Sequence, residues 1–180
     1  MFHIVFLGRL RTHSYSQARY EFMTSNRPTI STFGCRLNIW ESELIRQYAT
    51  DASLNNTVIF NTCAVTSEAE KQARQAIRKT KREQPEKQII VTGCAAQINP
   101  EKWLQMTEVD HVIGNHEKLL EDSWQRLKNT ELLPMEVSDI SEIRETAAHM
   151  IDSFEEHTRG FLQIQQGCNH RCSFCIIPYG

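Results

Sequence analysis

Residues 57–94 read TVIFNTCAVTSEAEKQARQAIRKTKREQPEKQIIVTGC, and the fold is decided by this stretch. It opens on a β-branched apolar run, Thr57 to Phe60, that leads into Asn61-Thr62-Cys63. It closes on a second such run, Gln88 to Thr92, that leads into Gly93-Cys94. Between the two, Ser67-Glu68-Ala69-Glu70 predicts a helix start with Ser67 as N-cap and Glu70 three residues on. Ala69, Ala73, Ala76 and Ile77 give that helix one apolar face. Strand, cysteine and helix followed by the next strand make one crossover unit of about 30 residues.

The unit repeats on either side. Upstream, Thr29 to Phe33 is a short β-prone run before Gly34-Cys35, and Trp40, Leu44 and Tyr48 mark one face of a helix over 38–48. Downstream, Asn99-Pro100-Glu101 predicts a helix with Asn99 as N-cap and proline at its first position. Val109 to Ile113 is a fourth strand, and Asn115 is expected to cap a last helix that uses Leu120, Trp124 and Leu127. Continuous apolar strands alternating with helices predict an α/β domain over residues 29–128. Its core is an open parallel sheet flanked by helices on both faces.

Composition sets the outer limits. The chain has 180 residues, 40% of them hydrophobic and 23% charged, which suits one globular domain with part of a second. No apolar run approaches the roughly 20 residues of a membrane-spanning helix. A net charge of −2 excludes a protein-wide basic field for nucleic acid, so such binding needs a local patch. Residues 71–88 supply one candidate: Lys71, Arg74, Arg78, Lys79, Lys81, Arg82 and Lys87 outweigh Glu83 and Glu86. The helix either contacts phosphates or is a solvated face, and no aromatic is interleaved for base stacking.

Residues 1–22 read MFHIVFLGRLRTHSYSQARYEF and hold Arg9, Arg11 and Arg19 with no acid before Glu21. They are either a mitochondrial-type presequence or, as we read them, an extension upstream of a start at Met23. Residues 1–28 are accordingly expected to lack order, and the protein to be cytoplasmic, or mitochondrial if the segment is a presequence. Residues 129–158 form an acidic linker: through His157, eight acids stand against Arg144 alone, with room for a helical turn near 141–150. After it, Gly160 to Gln166 (GFLQIQQ) predicts a strand running into Gly167-Cys168. Residues 159–180 therefore read as the start of a second domain that the chain does not complete, as in a fragment or the product of a gene broken downstream.

The chemistry lies in six cysteines. Cys35, Cys63 and Cys94 are 28 and 31 residues apart, close to one unit each, and each follows a strand and precedes a helix. Parallel strands point one way, so their C-terminal ends and these three thiols share one sheet edge, the usual ligand crevice. Gly34 and Gly93 allow close backbone approach, and helix N-termini favour bound anions such as thiolates. One cysteine so placed is ordinarily a small core residue. Three at the same position of a repeat suggest a shared metal site. Disulfides are disfavoured by the odd number and by reduced surroundings.

Cys168, Cys172 and Cys175 have the spacing C-x3-C-x2-C, which puts three thiolates on one tight loop. Three ligands hold three irons of a [4Fe–4S] cube and leave the fourth open to a small molecule. Zinc is the competing reading, with His170 as a fourth ligand inside the loop. Phe174, beside the last thiol, is either packing or a platform for a ligand base.

Together these motifs resemble the radical S-adenosylmethionine (SAM) methylthiotransferases. The resemblance rests on Cys168-Asn169-His170-Arg171-Cys172-Ser173-Phe174-Cys175-Ile176-Ile177-Pro178, Gly34-Cys35-Arg36-Leu37-Asn38, Asn61-Thr62-Cys63-Ala64-Val65-Thr66 and Thr92-Gly93-Cys94. It implies two [4Fe–4S] clusters. Cys168, Cys172 and Cys175 would hold the one whose open iron chelates SAM, which on reduction yields a 5′-deoxyadenosyl radical, and Phe174 would lie near the adenine. Cys35, Cys63 and Cys94 would hold an auxiliary cluster that carries the sulfur, a second SAM supplying the methyl group. An electron donor and tRNA are the implied partners, and no further catalytic residue is implied. The sequence around Cys35 and Cys63 is most similar to members acting on N6-threonylcarbamoyladenosine at tRNA position 37. Members acting on isopentenyladenosine, or on a ribosomal-protein aspartate, differ there. The family's catalytic domain is a partial barrel, of which this chain holds the first strand and cluster loop. The 180 residues alone are expected to be an inactive, iron–sulfur-binding product.

Overall fold

The computed structural model describes residues 27–131, 133–143 and 167–180. Its elements are β1 (Thr29–Thr32), α1 (Arg36–Asp51), β2 (Thr57–Thr62), α2 (Ser67–Glu83), β3 (Gln88–Gly93), α3 (Cys94–Ile98), α4 (Pro100–Leu104), β4 (His111–Ile113), α5 (Glu121–Lys128) and β5 (Met135–Glu136). Short 3₁₀ turns lie at Glu117–Leu119 and Ile177–Tyr179. The five strands form one sheet in sequential order, every neighbouring pair parallel. This is the α/β architecture that strand–helix alternation predicts.

Period-two alternation sorts the core into two layers. Val58, Phe60, Ile89, Val91 and Val112 pack with Ala73 and Ile77 of α2, Ala95 and Ala96 of α3 and Trp103 of α4. Ile59, Ile90 and Ile113 point the other way, against Ile45 and Ala49 of α1 and Trp124 and Leu127 of α5. The chain thus leaves β1 for one face and β2 for the other, and β3 and β4 diverge likewise. Loops that part in opposite directions open a crevice at the C-terminal edge of a parallel sheet. Register brings the cysteines there: Thr32 pairs with Asn61, Asn61 with Thr92, and Thr62 with Gly93.

Three local expectations are corrected. The N-cap of α2 is Thr66, not Ser67; its side chain accepts from the Ala69 amide at 3.2 Å. Glu70 therefore stands one residue too deep to reach back, and pairs with Arg74 and Lys102 instead. Asn115 does not cap α5, whose N-cap is Leu120; its amide is taken up by Lys118 and Cys94. The sheet also runs on past residue 128. Met135 and Glu136, within the run read as an acidic linker, pair with Val112 and Ile113. The Gly114 amide donates to the Glu136 carbonyl at 2.9 Å, giving the outer edge of β4 the partners its backbone needs. The carboxylate of Glu136 meets Arg126 of α5.

Residues 1–26, the remainder of the linker over 144–158 with most of its expected helical turn, and the strand expected at 160–166 lie outside the described residues. No helix among the described residues is long and apolar enough to cross a membrane.

Candidate metal centre

Cys35 is the N-cap of α1, Cys63 follows β2 directly, and Cys94 is the first residue of α3. Two backbone devices make room for them. Gly34 and Gly93 have φ of +95° and +94°, a region L side chains rarely adopt. A Cβ on Gly34 would overlap the side chain of Cys63, so the loop after β1 passes directly over the second thiol. A Cβ on Gly93 would strike the backbone of Thr62 and the Asn61 side chain.

Buried amides tie these loops together. The Asn38 Nδ2 donates to the Phe33 carbonyl at 2.7 Å and to the Thr62 carbonyl at 3.0 Å, pinning the end of β1 to the end of β2. Its Oδ1 lies 3.6 Å from the Cys35 Sγ, which donates to it. The Asn61 Nδ2 donates to the Asn38 carbonyl and the Ser42 Oγ, both at 3.1 Å. The Asn61 Oδ1, buried beside Gly93, has no hydrogen-bond partner. The Cys63 Sγ accepts from the Val65 amide at 3.4 Å.

Cys94 has the richest surroundings. The Asn115 Nδ2 stands 3.7 Å from its Sγ, and the Asn115 Oδ1 accepts from the Lys118 Nζ at 2.6 Å. The same ammonium bonds the Glu41 Oε2 at 2.6 Å. Lys118 is wholly buried and Glu41 nearly so. Burial pushes the Cys94 thiol above its ordinary pKa; Lys118 and the Asn115 bond pull it back, while Glu41 and the neighbouring Cys63 add to the rise.

Cys168 and Cys175 are half-buried and Cys172 is exposed, with the Cys175 amide closing a turn onto the Cys172 carbonyl at 3.1 Å. Phe174 is 91% exposed, so it takes no part in the core. This loop lies at the edge that carries the first trio: a Cβ on Gly180 would come 3.3 Å from the Cys94 Sγ. Arg171 stacks on the Tyr179 ring at 4.8 Å. Together with Gln97, Val137, Asp139 and Ile176 these two line a cavity of about 670 Å³. Hydrogen bonds from Ser141, and more weakly the positive charge of Arg171, hold the Asp139 carboxyl below its ordinary pKa.

The structure therefore sets the segments of the first trio side by side. It does not aim the three thiols at one point, and no three His, Cys, Asp or Glu side chains among the described residues form a ready metal-binding group. The donor chemistry fits an iron–sulfur cluster nonetheless: soft thiols only, two glycines that clear space beside them, and an amide donor at Cys94. On α2, four basic side chains are paired with acids: Arg74 with Glu70, Arg78 with Glu108, Lys79 with Glu83 and Lys81 with Asp110.

Residues 27–114 match the family model described as "Uncharacterized protein family UPF0004". A Rickettsia prowazekii (strain Madrid E) protein named threonylcarbamoyladenosine tRNA methylthiotransferase MtaB is 55% identical over 153 residues, which are 85% of this chain and 35% of that relative. The chain belongs to the methylthiotransferase family. A protein of the same name from Aquifex aeolicus (strain VF5) is 32% identical over 161 residues, 82% of this chain and 38% of the relative. The tRNA-2-methylthio-N(6)-dimethylallyladenosine synthase of Mycobacterium bovis (strain ATCC BAA-935 / AF2122/97) is 29% identical over 166 residues, 83% of this chain and 31% of the relative. The chain spans about a third of the length of these curated relatives.

Sequence reasoning missed Glu41 and Lys118 as neighbours of Cys94, and gave Asn38 and Asn115 no role beside a thiol. Glu41 and Lys118 are 77 positions apart, and no local pattern links them. The one available signal was Asn38 within Gly34-Cys35-Arg36-Leu37-Asn38, three residues after a thiol at a helix start. Gly34 carries a prediction. Gly34→Ala should destabilise the fold by about 2 kcal/mol, through the strained φ and the collision with Cys63. Urea unfolding of the metal-free chain measures this, and an unchanged midpoint would show that the loop yields without cost.

Proposed function

We propose that this chain is part of a radical SAM tRNA methylthiotransferase that converts N6-threonylcarbamoyladenosine at position 37 to its 2-methylthio derivative. The observation that carries the reading is the pair of thiol trios: Cys35, Cys63 and Cys94 each at a strand's C-terminal end, and Cys168, Cys172 and Cys175 on a segment whose end, Gly180, comes up against Cys94. The 55% identity to a protein named threonylcarbamoyladenosine tRNA methylthiotransferase supports the same nucleoside, and the lower identity to the dimethylallyladenosine synthases makes those the second choice.

Each trio would hold a [4Fe–4S] cluster. When bound, the clusters supply one-electron reduction of SAM and the sulfur that is transferred. The chain's own residues prepare the ground. Asn38 clamps the first two loops of the auxiliary site, and Gly34 lets one pass over the other. Asn115 gives the Cys94 sulfur a polar neighbour. Phe174 stands free of the core, as a side chain that closes on an adenine must. We place the protein in the cytoplasm, with tRNA and an electron donor as partners.

The test is nucleoside mass spectrometry of tRNA from cells lacking the gene. Loss of the methylthio group from the threonylcarbamoyl nucleoside alone is expected. Loss from the isopentenyl nucleoside instead would give the second choice, and no change in either would overturn the reading.

A further inference from the structure

We propose that Lys118 is a positioning residue for the auxiliary thiol trio: its buried ammonium fixes the Asn115 amide so that Asn115 N–H donates to the Cys94 sulfur. The proposal rests on reading Cys35, Cys63 and Cys94 as cluster ligands, and it goes beyond them.

An ammonium has three donors and no acceptor, so it can bind only the oxygen of a side-chain amide. The Lys118 Nζ lies 2.6 Å from the Asn115 Oδ1, which decides which way that amide faces. The other end, Nδ2, must then point away from Lys118, and it stands 3.7 Å from the Cys94 Sγ. Without the lysine the amide could turn over and offer its oxygen to the sulfur. That contact would be repulsive for a thiolate.

The arrangement is held from several sides. Glu41 of α1 takes the same ammonium at 2.6 Å. The Asn115 amide nitrogen of the backbone donates to the Gln97 Oε1 at 2.8 Å, and the Trp124 Nε1 donates to the Lys118 carbonyl at 3.0 Å. Lys118 is 0% exposed, Glu41 3% and Asn115 4%, so water cannot substitute for any of these bonds. A buried ion pair is weak evidence for stability, because apolar side chains of the same size often serve better. A buried pair ending on an amide that ends on a thiol has a role beyond packing. Hydrogen bonds to cluster sulfurs, and positive charge behind them, favour the more negative reduced state and hold the ligand in place.

The experiment uses the full chain with Cys168, Cys172 and Cys175 changed to alanine, so that the auxiliary site alone can load. After anaerobic reconstitution, iron content, iron release to a chelator and the reduced-to-oxidised ratio in dye-mediated titrations are compared with two variants. Asn115→Leu should release iron at least tenfold faster. At fixed potential its reduced-to-oxidised ratio should fall about tenfold, which is about 59 mV for one electron. Glu41→Leu with Lys118→Met keeps the site filled and Asn115 present but frees the amide, and should move both readouts the same way. Packing alone would alter thermal stability and leave the ratio where it was. Parent-like release and ratio in folded Asn115→Leu, or a shift absent from the double variant, overturns the proposal while the cluster reading stands. A parent that takes up no iron overturns both.

Discussion

Cys63→Ala will strip the chain of about half its iron. With both trios filled, the chain should carry about eight irons after anaerobic reconstitution, and the variant about four. The size of the effect follows from ligand number. A cube held at three corners cannot lose one and stay on the two thiols left, whereas the second trio lies on its own tight turn, closed by the Cys175 amide on the Cys172 carbonyl. Folding should survive the change. Cys63 is 4% exposed, but alanine removes only the sulfur, whose contacts are the Val65 amide at 3.4 Å and the neighbouring Gly34 loop. The loss of stability should be about 1 kcal/mol, in the range of a small truncation. Cys172→Ala, at an exposed thiol, should halve the iron independently, and the two together should leave none. Iron and acid-labile sulfide per chain, with electron paramagnetic resonance of the reduced protein, measure all three. Full iron in Cys63→Ala would mean that the first three cysteines hold nothing. Retained zinc in place of iron would revive the other metal reading of the C-terminal loop.

Much of the scaffold was legible because it is local. Val58, Ile59 and Phe60 alternate between two apolar layers, and a strand covered on both faces must be apolar throughout, so the run is visible without knowing what covers it. The shared position of the cysteines was legible for the same reason, since parallel strands carry every strand end to one edge. What stayed hidden depends on contacts between distant segments. Met135 and Glu136 lie in an acidic run with no period-two signal, and they become a strand only because β4 presents an unpaired edge. Thr66 takes the cap from Ser67 because either residue can, and only the backbone decides between them. Asn115 looked like a cap on composition, but the turn at Glu117–Leu119 comes between it and α5. Lys118 was illegible altogether. A lysine beside a glutamate reads as surface, and only the packing of α1 against that turn shows it wholly buried.

That buried pair yields the largest expected effect on stability. Lys118→Met should lower the unfolding free energy of the metal-free chain by about 3–5 kcal/mol, a large share of what a domain of this size has. Methionine fills much of the same volume, so the cost is electrical. Glu41, 3% exposed, loses the ammonium 2.6 Å away and is left as a buried carboxylate without its countercharge, while the Asn115 Oδ1 loses its donor. The pairing itself is not what stabilises, and a second change exposes the difference. Adding Glu41→Leu removes the stranded charge and should restore most of the loss, bringing the double variant to within about 1 kcal/mol of the parent. Urea unfolding of the parent, both single variants and the double closes the cycle. A single variant that loses less than about 1 kcal/mol, or a double no more stable than Lys118→Met alone, would show that water or another donor reaches Glu41. The ammonium would then not be sealed behind Cys94, and its hold on the Asn115 amide would be optional.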